Sequence, residues 1–183
     1  MYCGENKVAL SSQRKISDAL MDLLAKKPYQ EITISELCKT ARISRQTFYS
    51  LFTSRDNVIC FTLQERYCYT PQDPSEALQE DHTPLRHLCH GYGSYISHNK
   101  DFMQMLVDNH IEHMLYDSIA ESLEGCSCFL PELTGSRRAF AADYFAGGIT
   151  GVVKRYARMG CEICESDLEA ILYDLLSGAA FRS

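Results

Sequence analysis

The stretch Thr33 to Arg55, TISELCKTARISRQTFYSLFTSR, carries two short helices and the start of a third. Thr33 followed three residues later by Glu36 is a capping box, in which the hydroxyl accepts a free backbone N–H and the carboxylate reaches back, so a helix starts at Ile34. Ile34, Leu37, Cys38 and Ala41 recur at the 3.6-residue spacing that lays one apolar stripe against a core. After a turn over Arg42 and Ile43, Ser44 is placed as the N-cap of a second helix. That helix exposes Arg45, Gln46, Thr47, Tyr49 and Ser50 around buried Phe48 and Phe52. Hydrogen-bonding side chains crowded at one end of a short helix, backed by aromatic anchors, are what a recognition helix presents to base edges and phosphates. Ser54 caps a third helix and puts Arg55 beside a helix N-terminus, whose unpaired N–H groups already attract phosphate.

Periodicity alone leaves open an ordinary pair of capped helices in an all-α protein. The segment from Ser12 to Tyr67, however, resembles the N-terminal domain of the TetR family of bacterial transcription regulators. The likeness lies in an amphipathic helix, a P-Y-x-x-I-T connection at residues 28–33, and the run I-x-x-L-C-x-x-A-x-I-S-R-x-T-F-Y-x-x-F-x-S-R-D over residues 34–56. It implies a DNA reader in which Arg45, Gln46, Thr47 and Tyr49, with Ser50 beside them, face the major groove, while Thr33, Ser44 and Arg55 face phosphates. The chain departs from the family twice. Arg42 stands where the helix-helix turn usually has Gly, which in a left-handed backbone costs about 1 kcal/mol. Leu51 stands where the family often has His, so a phosphate or base contact is missing there.

Charge supports a divided molecule. The net charge is −6, but residues 1–69 hold 10 Lys and Arg against 7 Asp and Glu, whereas residues 70–183 hold 8 against 17. The first part is therefore basic and carries the proposed reader; the acidic remainder stays off the phosphates. Hydrophobic residues make up 45% of the chain, enough for a buried core. No run approaches the roughly 18 apolar residues of a membrane span, and Met1 to Gln13 lacks a signal-peptide apolar region, so the expectation is a cytoplasmic protein without a membrane partner. The 9 Cys, an odd number scattered along helical patterns, fit reduced thiols. No Gly-rich phosphate loop, G-x-S-x-G or H-E-x-x-H occurs, so neither an enzyme nor a cofactor is expected.

Taken in order, residues 1–10 read as an arm, with Lys7 and later Arg14 as possible backbone contacts. Ser11 or Ser12 caps a first helix whose stripe is Ile16, Ala19, Leu20, Leu23 and Leu24, and Pro28 ends it. A fourth helix spans residues 55–69; in the family it joins the reader to the regulatory body, so its tilt sets the spacing of two reading heads. Residues 70–83 read as a linker. Pro84 opens a fifth helix, Asn99 caps a sixth, and a seventh ends near Gly125. A loop follows over residues 126–134. Ser136 to Met159 is the longest helical pattern, with Lys154, Arg155 and Arg158 in its last turns. Its Gly147, Gly148 and Gly151 cost helix propensity, about 1 kcal/mol each, which the close approach of another helix would offset. Ser166 and Glu169 form a capping box for a ninth helix bearing Leu168, Ile171, Leu172, Leu175, Leu176 and Ala179. The expected fold is all-α with about nine helices: a helix-turn-helix domain over residues 1–54, a connecting helix over 55–69, and a regulatory and dimerisation domain over 70–183.

The run YFAGGITGVVKRYARMG at residues 144–160, followed by an acidic helix, is similar to the last two helices of many TetR-family regulators. There they pair with the same helices of a second subunit in a four-helix bundle. This implies a homodimer joined through Gly147, Gly151, Tyr156, Leu168, Ile171, Leu172, Leu175 and Leu176, and a palindromic double-stranded operator read by two helices about 34 to 36 Å apart. Tyr92, Phe102, Met103, Met105, Leu106, Met114, Tyr144 and Phe145 are the candidates to line an apolar effector pocket, although a Met and aromatic stripe also suits plain core. All 6 His fall between His82 and His113, with His87/His90 and His110/His113 three apart. That spacing admits a metal-sensing alternative, but no metal is expected. Cys161 and Cys164 form a lone C-x-x-C, a weak redox signal. The reading is a transcription regulator, a repressor released from its operator by a small molecule. Control by a protein co-regulator on the acidic body, control by a metal, and a helical protein-interaction module are the alternatives.

Overall fold

In a computed structural model that describes residues 6–66, 83–126 and 129–178, the described residues form nine α-helices and no strand. They fall into two compact units that divide after Arg66.

In the first unit, α1 runs Lys7–Leu24. It starts earlier than the expected serine cap, because Asn6 accepts the Val8 N–H at 2.9 Å while the Ser12 hydroxyl turns back to the Val8 carbonyl. Asn is among the strongest N-caps, and residues 7–10 are therefore helix and not arm. A single 3₁₀ turn, Tyr29–Glu31, leads into α2, Ile34–Ala41. Helices α3, Arg45–Leu51, and α4, Arg55–Arg66, complete the unit. The expected extension of the fourth helix to residue 69, like the linker over residues 70–82, lies outside the described residues. Ile16, Leu20, Ile32, Leu37, Phe48, Phe52, Val58 and Ile59 form a closed core. Phe52 sits 5.9 Å from Phe48 and 5.7 Å from Phe61, ring to ring, so the aromatic anchors of α3 continue into α4. Helices α1 and α4 are joined inside by a 2.7 Å bond between the Ser17 and Thr62 hydroxyls. Thr62 also donates to the Val58 carbonyl, so the buried pair is satisfied. Helix α4 thus packs as part of the first unit.

The second unit holds α5, Pro84–His98, α6, Lys100–Asp108, α7, His113–Gly125, α8, Ser136–Arg158, and α9, Glu165–Leu176. Helix α7 packs along α8, and α5 along α9. Two glycines permit the closest approaches. A Cβ at Gly93 would lie 3.2 Å from the Glu169 backbone nitrogen, and one at Gly148 would lie 2.9 Å from Leu176 Cδ2. The helix that offsets Gly148 is therefore α9 of the same chain, whereas Gly151 has no neighbour within 4 Å of its would-be Cβ.

Two caps differ from expectation. Asn99 stands at the N-cap position of α6 as expected, but its side chain makes no capping bond there; its amide donates instead to the Tyr95 carbonyl at 2.9 Å, closing α5. Helix α9 starts at Glu165 behind Cys164, so Ser166 lies within its first turn. Glu169, the expected partner of Ser166, is drawn instead to His90 Nδ1 at 3.0 Å on α5. Ala179 lies outside the described residues.

Candidate nucleic-acid interface

The first unit presents a helix-turn-helix whose parts are fixed by local chemistry. The Thr33 hydroxyl accepts the Glu36 N–H at 3.2 Å and the Glu36 carboxylate accepts the Thr33 N–H at 3.0 Å, closing the expected capping box. Lys27 Nζ lies 2.6 Å from the other Glu36 oxygen. These bonds, Lys27 first and then Thr33, hold the Glu36 carboxyl down to about 2. Arg42 ends α2 in the left-handed conformation, φ 56° and ψ 45°, the arrangement that favours Gly. Ser44 caps α3 by accepting the Thr47 N–H at 3.0 Å, and its oxygen lies 2.9 Å from that of Thr47.

Helix α3 then separates its side chains cleanly. Phe48 and Leu51 face the core. Arg45, Gln46, Tyr49 and Ser50 are exposed and Thr47 is half-exposed. Tyr49 stands edge-on to Phe48 at 5.5 Å, which braces the ring while half of the residue stays in solvent. The Arg45 guanidinium carbon lies 6.0 Å from the centre of the same ring. Arg45, Gln46 and Tyr49 therefore share one solvent-facing surface of α3. The hydroxyls of Thr33 and Ser44 cap helices, and that of Ser50 donates to the Thr47 carbonyl at 2.8 Å. Leu51, at the position where a histidine was expected from the family pattern, belongs to the core.

Arg55 is the departure among the site residues. Its Nη1 donates to the Tyr29 carbonyl at 2.8 Å and also to the Ile32 carbonyl, and its guanidinium carbon lies 4.7 Å from the Tyr29 ring centre. The Tyr29 hydroxyl donates to Asp56, and burial together with that carboxylate pushes the phenol upward. Arg55 and Asp56 therefore clasp the 3₁₀ turn before α2 onto the start of α4. The two halves of this clasp, P-Y-x-x-I-T and S-R-D, stand apart in the sequence, and nothing in either marks the other as its partner. Arg14 is likewise engaged, its Nε 2.6 Å from Glu65.

In the second unit, Tyr92, Phe102, Met103, Leu106 and Met114 are buried together with the core, and Met105 is half-buried. Phe145 is half-buried and stacks edge-on to Phe129 at 5.3 Å. Tyr144 stands edge-on to Phe145 at 5.7 Å but is itself exposed, on the outer face of α8. Of the residues expected at a subunit interface, Tyr156, Leu168 and Leu172 are buried within their own chain, which corrects their assignment to a surface between copies. Gly147, Gly151 and Leu175 are exposed, and Ile171 and Leu176 are half-buried. His90 pairs with Glu169 and His98 with Glu165, and among the described residues no three His, Cys, Asp or Glu side chains converge. The described cysteines, Cys161 and Cys164 included, are free thiols.

The first unit is thus a capped helix-turn-helix on an aromatic core, and the second a separate set of packed helices. Residues 16–59, within the first unit, match the model of the bacterial regulatory proteins of the tetR family. The HTH-type dhaKLM operon transcriptional activator DhaS of Lactococcus lactis subsp. lactis (strain IL1403) is 27% identical over 109 residues, which is 58% of this chain and 56% of that protein. The match thus spans little more than half the length of that relative. Among solved structures, the dihydroxyacetone kinase operon activator DhaS superposes with a TM-score of 0.54 at 20% identity, covering 92% of this chain and 95% of that one. Lin0861 from Listeria innocua gives 0.76 at 18% identity, covering 100% and 97%. A TetR transcriptional regulator from Streptococcus agalactiae gives 0.56 at 16%, covering 94% and 97%. These likenesses establish the fold. The family and the curated relative are transcription regulators, not enzymes.

Proposed function

We propose that the chain binds a palindromic operator as a homodimer, reads it with Arg45, Gln46, Thr47, Tyr49 and Ser50, and changes its grip when an effector acts on the second unit. The observation that carries the reading is the row of exposed Arg45, Gln46 and Tyr49 on a helix whose opposite face is locked into the core by Phe48 and Leu51. Such a helix offers hydrogen-bonding heads at fixed spacing to base edges. Thr33 and Ser44 contact phosphate, whereas Arg55 acts by holding the turn before α2.

Dimerisation rests on the outer face of α8 and α9. Phe140 is 75% exposed, Tyr144 64% and Leu175 47%, and Gly147 and Gly151 lie on the same outer side of α8 with little beside them. Large apolar side chains left in solvent next to flat glycine surface favour a second copy as cover. For the effector, a small molecule entering among Tyr92, Phe102, Met103, Leu106, Met114 and Phe145 must displace core contacts, and a motion of α4 would carry the change to the reader. The acidic body equally suits a protein co-regulator.

The sign of regulation has two readings. Release of a repressor is the one the sequence suggested, but the relative at 27% identity is named a transcriptional activator, which favours activation here. Selection of bound duplexes from a random DNA pool, with the mass of the complex measured alongside, tests the core of the proposal. A palindrome held by two copies is the expected result. A folded chain that selects no sequence even at low salt would replace this reading with the protein-interaction module, and the selected operator fused to a reporter decides between activation and repression.

A further inference from the structure

We propose that Arg42 is a phosphate contact of this chain, made from the turn of the helix-turn-helix itself. The inference rests on the DNA-binding reading above and adds to it a residue that the family pattern does not supply.

Three observations carry it. First, Arg42 occupies a left-handed position at φ 56°, which glycine adopts freely and an L side chain adopts only against resistance. The work of ending α2 is done by its backbone, whose N–H meets the Cys38 and Lys39 carbonyls. The side chain is not needed for that. Second, the side chain does nothing else for the fold. It is exposed, and among the described residues its guanidinium enters no ion pair, hydrogen bond or ring contact. Arg14 is tied to Glu65 and Arg55 to two carbonyls of the same unit, so this arginine differs from its neighbours. Third, it sits two residues before Ser44, between the exposed cations Lys39 and Arg45. A helix lying in the major groove brings the segment leading into it to the groove's edge, where phosphates are. A long flexible stem with a planar fork of donors suits a phosphate there. The residue thus departs from glycine in the one way that adds charge beside the proposed reading surface.

The experiment compares the full-length chain with Arg42→Gly, Arg42→Asn and Arg42→Lys, on the selected operator and on a random duplex of equal length, across a salt series. Asn keeps a left-handed backbone tolerable without the charge. The expected result is that Arg42→Gly melts at or above the temperature of the unaltered chain, yet both it and Arg42→Asn bind the two duplexes more weakly by the same factor. The slope of log affinity against log salt should become shallower by about 0.9 for each contacting subunit. Arg42→Lys should keep that slope. Unchanged affinity and slope in Arg42→Asn would overturn the proposal, and so would a loss confined to the operator with the slope intact, since that marks a base contact. Failure of the unaltered chain to bind any duplex counts against the DNA-binding reading itself and is read before any variant is made.

Discussion

Arg55 shows how a charged residue beside a helix N-terminus can serve the fold. Its bonds to the Tyr29 and Ile32 carbonyls hold the entry to α2 against the start of α4, and hydrogen bonds from a charged donor are worth about 1.5–3 kcal/mol. Arg55→Ala should therefore lower the stability of the first unit by about that amount and weaken DNA binding without changing its salt slope; denaturant unfolding and a salt titration read the two effects separately. A flattened slope would restore Arg55 to the phosphate contacts. Glu36 makes a prediction in pH. Its folded value, about 2, lies below the ordinary glutamate value of about 4.3. The stabilisation it brings is therefore present above that ordinary value and is lost as the pH falls towards 2. Glu36→Gln should shrink the drop in the urea midpoint between pH 5 and pH 2, and an undiminished drop would mean the Lys27–Glu36–Thr33 cluster does not set the acid limb. The Thr33 capping box was legible in the sequence because its partners are three residues apart and both are side-chain types with one common use there. The clasp of Arg55 was not, because its acceptors are carbonyls 23 and 26 residues away, and a carbonyl leaves no mark on the sequence.

Among the elements, those with strong local caps were read with their true ends. Thr33 and Ser44 opened α2 and α3 where expected, and Pro84 behind Thr83 opened α5. The start of α9 was misplaced because a tertiary contact competes for Glu169: across the α5 crossing, His90 takes the carboxylate that a local box would have used. Gly93 is what allows that crossing. An Ala for Gly change within an open helix ordinarily gains about 0.5–1 kcal/mol. At Gly93 the new Cβ would lie 3.2 Å from a backbone nitrogen and 3.3 Å from a Cα of α9, atoms that move only if the helix moves. Gly93→Ala is therefore expected to lower the melting temperature of the second unit in spite of better helix propensity, with thermal unfolding by circular dichroism as the check. A rise would show that α5 and α9 have slack that the close approach does not suggest.

At the scale of the molecule, charge divides a basic first part from an acidic remainder, since charge is additive along the chain, and the chain falls into two compact units that divide after Arg66. The sequence did not separate the faces of α8 and α9. A 3.6-residue stripe says that one side is apolar, not whether the cover comes from the same chain or another. Tyr156, Leu168 and Leu172 turned inward, while Phe140 and Tyr144 stayed in solvent. Gly151 offers a way to tell what covers that outer face. Within one chain nothing lies within 4 Å of a Cβ added there, so in a monomer Gly151→Ala should only gain, by about 1 kcal/mol of helix propensity. Against a second α8 packed flat on the glycines, the same methyl group holds the two helices apart, and Gly151→Leu does so more severely. The expected outcome is that both variants dissociate at higher protein concentration than the unaltered chain in sedimentation equilibrium. They should also lose affinity for the full palindrome as the protein is diluted, while a half-site duplex is bound as before. The opposite pairing, a higher melting temperature with dimerisation untouched, would place the subunit contact elsewhere and leave Phe140 and Tyr144 as a surface for a different partner.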